Sequence, residues 1–190
     1  MHYKIVNPPY VNIWAWGNLQ KEDAHETGSV LVEATCGSVN FSNIPTSDDD
    51  HKEGATGILH FVTTDQPATF DITAIISHQW QYAIQAWGPF SNAVAKGGVD
   101  MVARRKGVAI DGPRRAEFFS DSSRNAGRTV QDGGGVKLAN VRFDIAPGEE
   151  ALVGFGAWLD LSHDSGWGTA GGGAFVKCNV TQLQYFKWPH

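Results

Sequence analysis

Between Thr69 and Trp87 the chain alternates apolar and polar side chains for almost twenty residues. The even positions are Phe70, Ile72, Ala74, Ile76, His78, Trp80, Tyr82, Ile84 and Ala86, and the odd ones are mostly Asp, Thr, Ser and Gln. A period of two is the repeat of a strand with one buried and one wet face. No helix tolerates it, so this run alone directs the chain toward a sheet-based fold. Extended over its whole length it would span roughly 60 Å, more than an ordinary strand. A bend or break is expected near Ser77–Gln79. Parity is kept across that point, which suits a coiled strand shared by both sheets.

The rest of the chain repeats the theme in shorter pieces. Strands are predicted at Tyr3–Val6, Val11–Trp16, Ser29–Phe41 (broken near Gly37), Gly57–Thr64, Val99–Arg104, Arg115–Phe119, Val136–Ile145, Glu150–Leu161 and Ala174–Phe186. Loop signals fall at Asn7-Pro8-Pro9, Thr46–Asp50, Asp65-Gln66-Pro67, Gly88-Pro89, Asp111-Gly112-Pro113, Asp132–Gly135 and Pro147-Gly148. Helical periodicity is poor, with Phe90–Lys96 the one stretch suited to a short turn of helix. No solenoid or propeller period is present. The expected fold is all-β, an antiparallel two-sheet sandwich with long loops, formed by residues 1–190 as a single domain.

A hydrophobic content of 42% in 190 residues is enough for a real core and too high for a disordered chain. A formal net charge of -5 argues against nucleic acid as a partner. The charge is uneven. Residues 1–65 are acidic, whereas most arginines, among them Arg104, Arg105, Arg114 and Arg115, fall between Arg104 and Arg142. Guanidinium forks in such a cluster suit phosphate or acidic-sugar oxyanions, and solvated strand faces are the plainer reading.

The seven tryptophans bear most on function. Trp14 and Trp16 share one strand face, opposite Ile13 and Ala15, so one face of that strand turns indole toward solvent, a loop or a partner. Trp80 lies on the buried parity. Trp87 ends the long strand beside Gly88-Pro89. Trp167 sits in LSHDSGWGTAGGGAF, a glycine-rich connection with little else apolar, where an indole suits a loop tip that meets a membrane interface, a sugar ring or a protein.

Catalytic and metal signatures are missing. The histidines form neither HxH nor HExxH, nor a zinc spacing with cysteine. His60 and His78 could meet across strands beside Asp71 or Asp160, but a hydrogen-bonded sheet histidine is the simpler reading. Asp48-Asp49-Asp50 lacks the alternating ligands of a calcium loop. There is no nucleophile elbow, Walker loop or dinucleotide fingerprint. The glycine runs at 133–138 and 171–176 precede strands rather than helices. No cofactor is implied. Cys36 and Cys178 leave both a single bridge and two buried thiols open. The sequons at Asn40 and Asn179 are weak signals. MHYKIVNPPY is not a signal peptide, and no stretch reaches membrane-span length. The expectation is a cytosolic protein or one released by a non-classical route.

Several pieces occur in a familiar order: Trp16-Gly17-Asn18-Leu19 with an acidic stretch after it, Cys36-Gly37, Glu53-Gly54-Ala55-Thr56-Gly57 leading into Ile58–Thr64, and Trp80 followed by Trp87. Together they resemble the aegerolysins, small β-sandwich proteins of fungi and bacteria. Some of those recognise membrane sphingolipids and act with a pore-forming partner. The stretch Gly57–His78 is also similar to the central hairpin of actinoporins and of fungal fruit-body lectins. Gly54, Gly57, Phe61, Phe70, Thr73 and His78 match the lectin pattern, while Gln85 stands where the lectins carry a sugar-binding Asp. The resemblance covers residues 16–87. It implies a sandwich that binds lipid or glycan.

Residues and resemblance together lead to one expectation: a non-enzymatic module that binds a membrane lipid headgroup, as part of a pore-forming or insecticidal-type toxin. A second protein component or a homo-oligomer would be its partner. Trp14, Trp16, Trp87 and Trp167 would enter the interface, and Arg104, Arg105, Arg114 and Arg115 would meet phosphate. The alternatives are a carbohydrate-binding lectin, a structural or assembly subunit, and an enzyme using the sandwich mouth as a pocket.

Overall fold

The computed structural model describes residues 1–7, 12–17, 21–24, 29–37 and 51–190. For 12–17, 21–24, 51–56, 58, 59, 61 and 134–138 the backbone alone is described. The Asp48–Asp50 run, the Asn40 sequon, the Asn7-Pro8-Pro9 signal and the Trp16–Leu19 turn therefore fall wholly or partly outside the described residues.

Eleven antiparallel strands are present in these segments: β1 (His2–Val6), β2 (Asn12–Gly17), β3 (Lys21–Ala24), β4 (Ser29–Gly37), β5 (His51–Thr63), β6 (Ala68–Trp87), β7 (Asn92–Arg105), β8 (Val108–Ser123), β9 (Ala126–Ile145), β10 (Glu150–Asp164) and β11 (Thr169–Pro189). One sheet runs β3-β4-β11-β6-β9, with β1 added to the far part of β11. The other runs β2-β5-β10-β7-β8. The fold is an all-β, two-sheet antiparallel sandwich.

The parity of β6 decides its packing. Ile72, Ala74, Ile76, Trp80, Tyr82, Ile84 and Ala86 are all buried, and every odd residue between Asp71 and Gln85 faces the wetter side. The core sits between the sheets. Val32, Val141 and Val176 meet it from one side, and Val99, Met101, Phe155, Leu159 and Leu161 from the other. Each such aliphatic chain contributes ~1.5–3 kcal/mol by leaving water. Cys36 and Cys178 lie buried in this core as thiols rather than as a bridge, and burial pushes the Cys178 thiol up.

The break expected near Ser77–Gln79 takes another form. β6 stays continuous, and the irregularity lies in its neighbour: Ser77 pairs with Val136 but Gln79 with Gly133. Two residues of β9 thus oppose His78, which is a β-bulge. The glycines read as a loop at 132–135 supply it from inside a strand. Residues 111–113 likewise run through β8, and the helix turn expected at Phe90–Lys96 is instead the start of β7. The short Lys21–Ala24 strand has no counterpart in the sequence reading. In the second half the strands are long and the connections short, rather than the reverse.

β8 and β9 are edge strands of opposite sheets joined through residues 124 and 125, so they close one side of the sandwich. An aromatic cluster fills that corner. Trp80 stacks on Tyr82 at 6.0 Å, and Phe119 lies 5.1 and 5.0 Å from the two rings. The Tyr82 hydroxyl donates to Asp121 at 2.7 Å, and burial with that bond pushes the phenol up to about 12.

Candidate functional site

Three connections meet at one end of the sandwich: residues 88–91 between β6 and β7, 165–168 between β10 and β11, and the 124–125 turn. Their backbones interlock. Trp167 N–H donates to the Pro89 carbonyl at 3.1 Å, Gly168 N–H to Ser165 at 2.7 Å, and Gly88 N–H to the Asn125 side-chain oxygen at 3.1 Å. The Ser91 hydroxyl, itself buried, lies 2.9 Å from the Trp87 carbonyl and 2.8 Å from that of Ser165. Gly88 has φ 107°, and a Cβ there would come within 2.8 Å of the Gly168 Cα. Glycine is needed at these positions for close approach of the two turns.

On this scaffold stand three large aromatic side chains. Trp167 is 83% exposed, Phe90 79% and Trp87 52%. Phe90 and Trp167 meet edge-to-face with centroids 5.8 Å apart. Phe90 holds φ at 63°, a left-handed conformation that costs a bulky residue on the order of 1–3 kcal/mol. An exposed ring kept at that cost is an observation that asks for a role.

Of the residues proposed from sequence, the structure brings Trp87 and Trp167 together. It adds Phe90, whose signal was a large apolar residue directly after Gly88-Pro89 in a turn. Trp14 and Trp16, on β2, register with Gly57 and Ala55 of β5, and the side chains of the two tryptophans lie outside what the structure describes. The arginines do not join the tip. β7 carries the chain about 40 Å from Asn92 to Arg104, so Arg104 and Arg105 stand at the opposite end, beside the Lys106-Gly107 turn. Arg114 and Arg115 register with Met101 and Asp100.

Those four side chains also have internal partners. Arg105 pairs with Glu149 at 2.6 Å and Arg114 with Asp111 at 2.7 Å. Arg104 donates to the Gly107 carbonyl at 3.5 Å, and Arg115 lies 4.8 Å over the Trp158 ring. Burial works against the ionised Asp111, but N–H groups of Arg142 and Gly112 and the Arg114 guanidinium outweigh it and hold its carboxyl low. Beside Arg115, Asp100 is 5% exposed, and burial raises its carboxyl to about 6 against the pull of Arg115 and Arg104. The exposed Arg124 belongs to the 124–125 turn at this end, next to Asn125, and sequence position alone did not separate it from the rest.

A second concave feature lies on the outer face of β11-β6-β9, beside the bulge. It is a groove of about 670 Å³ whose polar lining includes Gln79, Gln81, Gln131, Lys177 and Asn179, with Phe175 at its wall. Glycine at 133 opens it; a Cβ there would press on Gln79 at 3.2 Å. His78 lines the same groove and stacks on Phe118 at 4.4 Å. Among the described residues, no three His, Cys, Asp or Glu side chains are grouped to hold a metal ion. No helix among them is long and apolar enough to cross a membrane.

No family model matches the chain. No curated protein matches it either. Among solved structures it is similar to an isomalto-dextranase of Arthrobacter globiformis T6 complexed with panose, at 9% identity and a TM-score of 0.28. That alignment covers 93% of this chain and 23% of the other. It is also similar to a structure of infectious bursal disease virus, Gx strain, at 8% identity and a TM-score of 0.19, covering 95% and 38%. The chain thus spans less than half of each of these proteins, and likeness at this level carries no functional argument.

Proposed function

We propose that this chain is a non-enzymatic recognition module whose aromatic tip enters the interfacial zone of a membrane, in the manner of the cytolysins it resembles in sequence. The observation that carries this reading is the exposed group Trp87, Phe90 and Trp167 on one interlocked pair of turns. Aromatic rings of ~150–250 Å² each, held outward, suit the headgroup level, where an apolar body and a polar edge are both satisfied. Arg124 beside the tip supplies one guanidinium for a phosphate oxygen.

Trp167 would place about 100 Å² of ring in the interface if half its area left water, worth ~2 kcal/mol or about 30-fold in partitioning. Vesicles of phosphatidylcholine with and without sphingomyelin test this. Wild-type protein should co-sediment and its tryptophan emission should shift to the blue. Trp167→Ala should lose most of both effects while its melting temperature stays close to wild type. Equal binding by that variant, or none by wild type, would retire the reading.

The amide-lined groove favours a second reading, a lectin. Gln79, Gln81, Gln131 and Asn179 offer donors and acceptors to sugar hydroxyls, and Phe175 offers an apolar wall. A glycan array in which hits are lost in Gln81→Ala but kept in Trp167→Ala would favour it over the membrane reading.

A further inference from the structure

The mouth of the sandwich between β1 and β5 has a composition unlike the rest of the inter-sheet space. A pocket of about 330 Å³ opens there, lined by His2, Lys4, His60, Phe70, Tyr185 and Lys187 among others, and among the described residues no carboxylate lines it. The register explains how cations come to stand at its rim, where His2 and Lys4 are exposed. Lys4 pairs with Tyr185 and His2 with Lys187, and Tyr185 belongs to the buried parity of β11. Lys187 also pairs with Asp65 at 3.6 Å, whose side chain is 89% exposed.

His60 lies 5.5 Å from the Tyr185 ring, and its Nδ1 is buried with no hydrogen-bond partner among the described residues. Burial, and then the charge of Lys4, lower its pKa. Two lysines, two imidazoles and a phenol therefore line this pocket with Phe70, whose ring the Lys187 ammonium approaches to 5.9 Å. A buried polar atom without a partner calls for an explanation, and a hydrogen-bonding ligand seated among these cations offers one.

We propose that this pocket binds a small organic anion, a carboxylate carried on a short apolar or aromatic body. The carboxylate would accept from Lys187, Lys4 and the imidazole of His60, and the body would lie against Phe70 and Tyr185. The volume is at the lower end for small-molecule sites, which suits a ligand of about ten heavy atoms. Among the described residues, the titratable groups that share this pocket with His60 are His2 and Lys4 from β1 and Tyr185 and Lys187 from β11. All are cationic or neutral, so a bound anion favours the imidazolium and binding tightens as pH falls.

The test is titration of the full chain with benzoate, octanoate and inorganic phosphate, followed by the ring resonances of His60. Benzoate or octanoate should give saturable shifts, with affinity rising several-fold between pH 8 and pH 6. Lys187→Met should weaken binding about tenfold, the scale of one charged hydrogen bond. Trp167→Ala, remote from this pocket, should bind as wild type does and serves as the folded control. Phosphate binding as tightly as the organic acids would overturn the apolar part of the proposal. Loss of binding in Trp167→Ala would move the site to the tip. No saturable shift with any probe would leave the two lysines as guards of the β1 edge and overturn the whole.

Discussion

Replacing Asp100 by Asn should remove a pH dependence that wild-type stability carries. Asp100 lies on β7 opposite Arg115, is 5% exposed, and has its carboxyl raised from 3.8 to about 6. Burial dominates because both guanidiniums reach it from exposed positions where water screens them. A gap of roughly two units is about 3 kcal/mol. The folded chain holds this proton more tightly than the unfolded one. The group's contribution to stability is therefore complete below about pH 4 and is lost as pH rises through about 6. An amide at this position stays neutral throughout. Urea unfolding of both proteins at intervals from pH 4 to pH 8 reads the effect. The stability of Asp100→Asn minus that of wild type should grow by ~3 kcal/mol across that range, whatever its absolute value at either end. A difference that is flat with pH would show that the carboxylate is well solvated. One that shrinks as pH rises would show that attraction to Arg115 outweighs burial.

Two further expectations concern the tip. Phe90→Gly frees a backbone held at φ 63°, so the melting temperature should hold or rise by a few degrees while vesicle binding falls about tenfold; a clear drop in melting temperature would mean that the ring braces the fold. Gly168→Ala would drive a Cβ into the Trp87 carbonyl oxygen, and should lower stability by ~2 kcal/mol or more and disturb both turns together, visible as changed amide shifts at residues 88–91 as well as 165–168.

What the sequence disclosed follows from the range of each signal. Parity is local, and it named the buried residues of β6 without any knowledge of the partner strands. His78 alone departs from it, because the extra residue of β9 lies opposite it, a property of another strand. Gly97 in β7 shows the same limit. A Cβ there would meet the Phe119 ring at 2.5 Å and Leu159 at 2.8 Å, so the small residue makes room for neighbours far away in sequence. Read alone, the alanines and glycines of residues 93–98 look unlike a strand. The glycines at 133–135 were taken for a loop for a related reason, since a bulge and a turn use the same residue.

The site was legible in the same partial way. Trp87 and Trp167 were visible as aromatics in turn-rich surroundings. Their joining with Phe90 depends on which turns share an end of the sandwich. The arginines were grouped by sequence position, yet long antiparallel strands carry neighbours apart: Arg104 and Arg124 are twenty positions from each other and stand at opposite ends of β7 and β8. The cationic mouth was invisible, because it assembles from β1, β5, β6 and β11.

The interlocked turns have a consequence for what the tip can recognise. Neither turn can yield without dragging the other, so the three rings arrive as a stiff prow rather than as adaptable fingers. A fluid layer parts around such a shape at little cost, whereas a firm surface must already be carved to receive it. Selectivity would then reside in the softness of the target as much as in its chemistry.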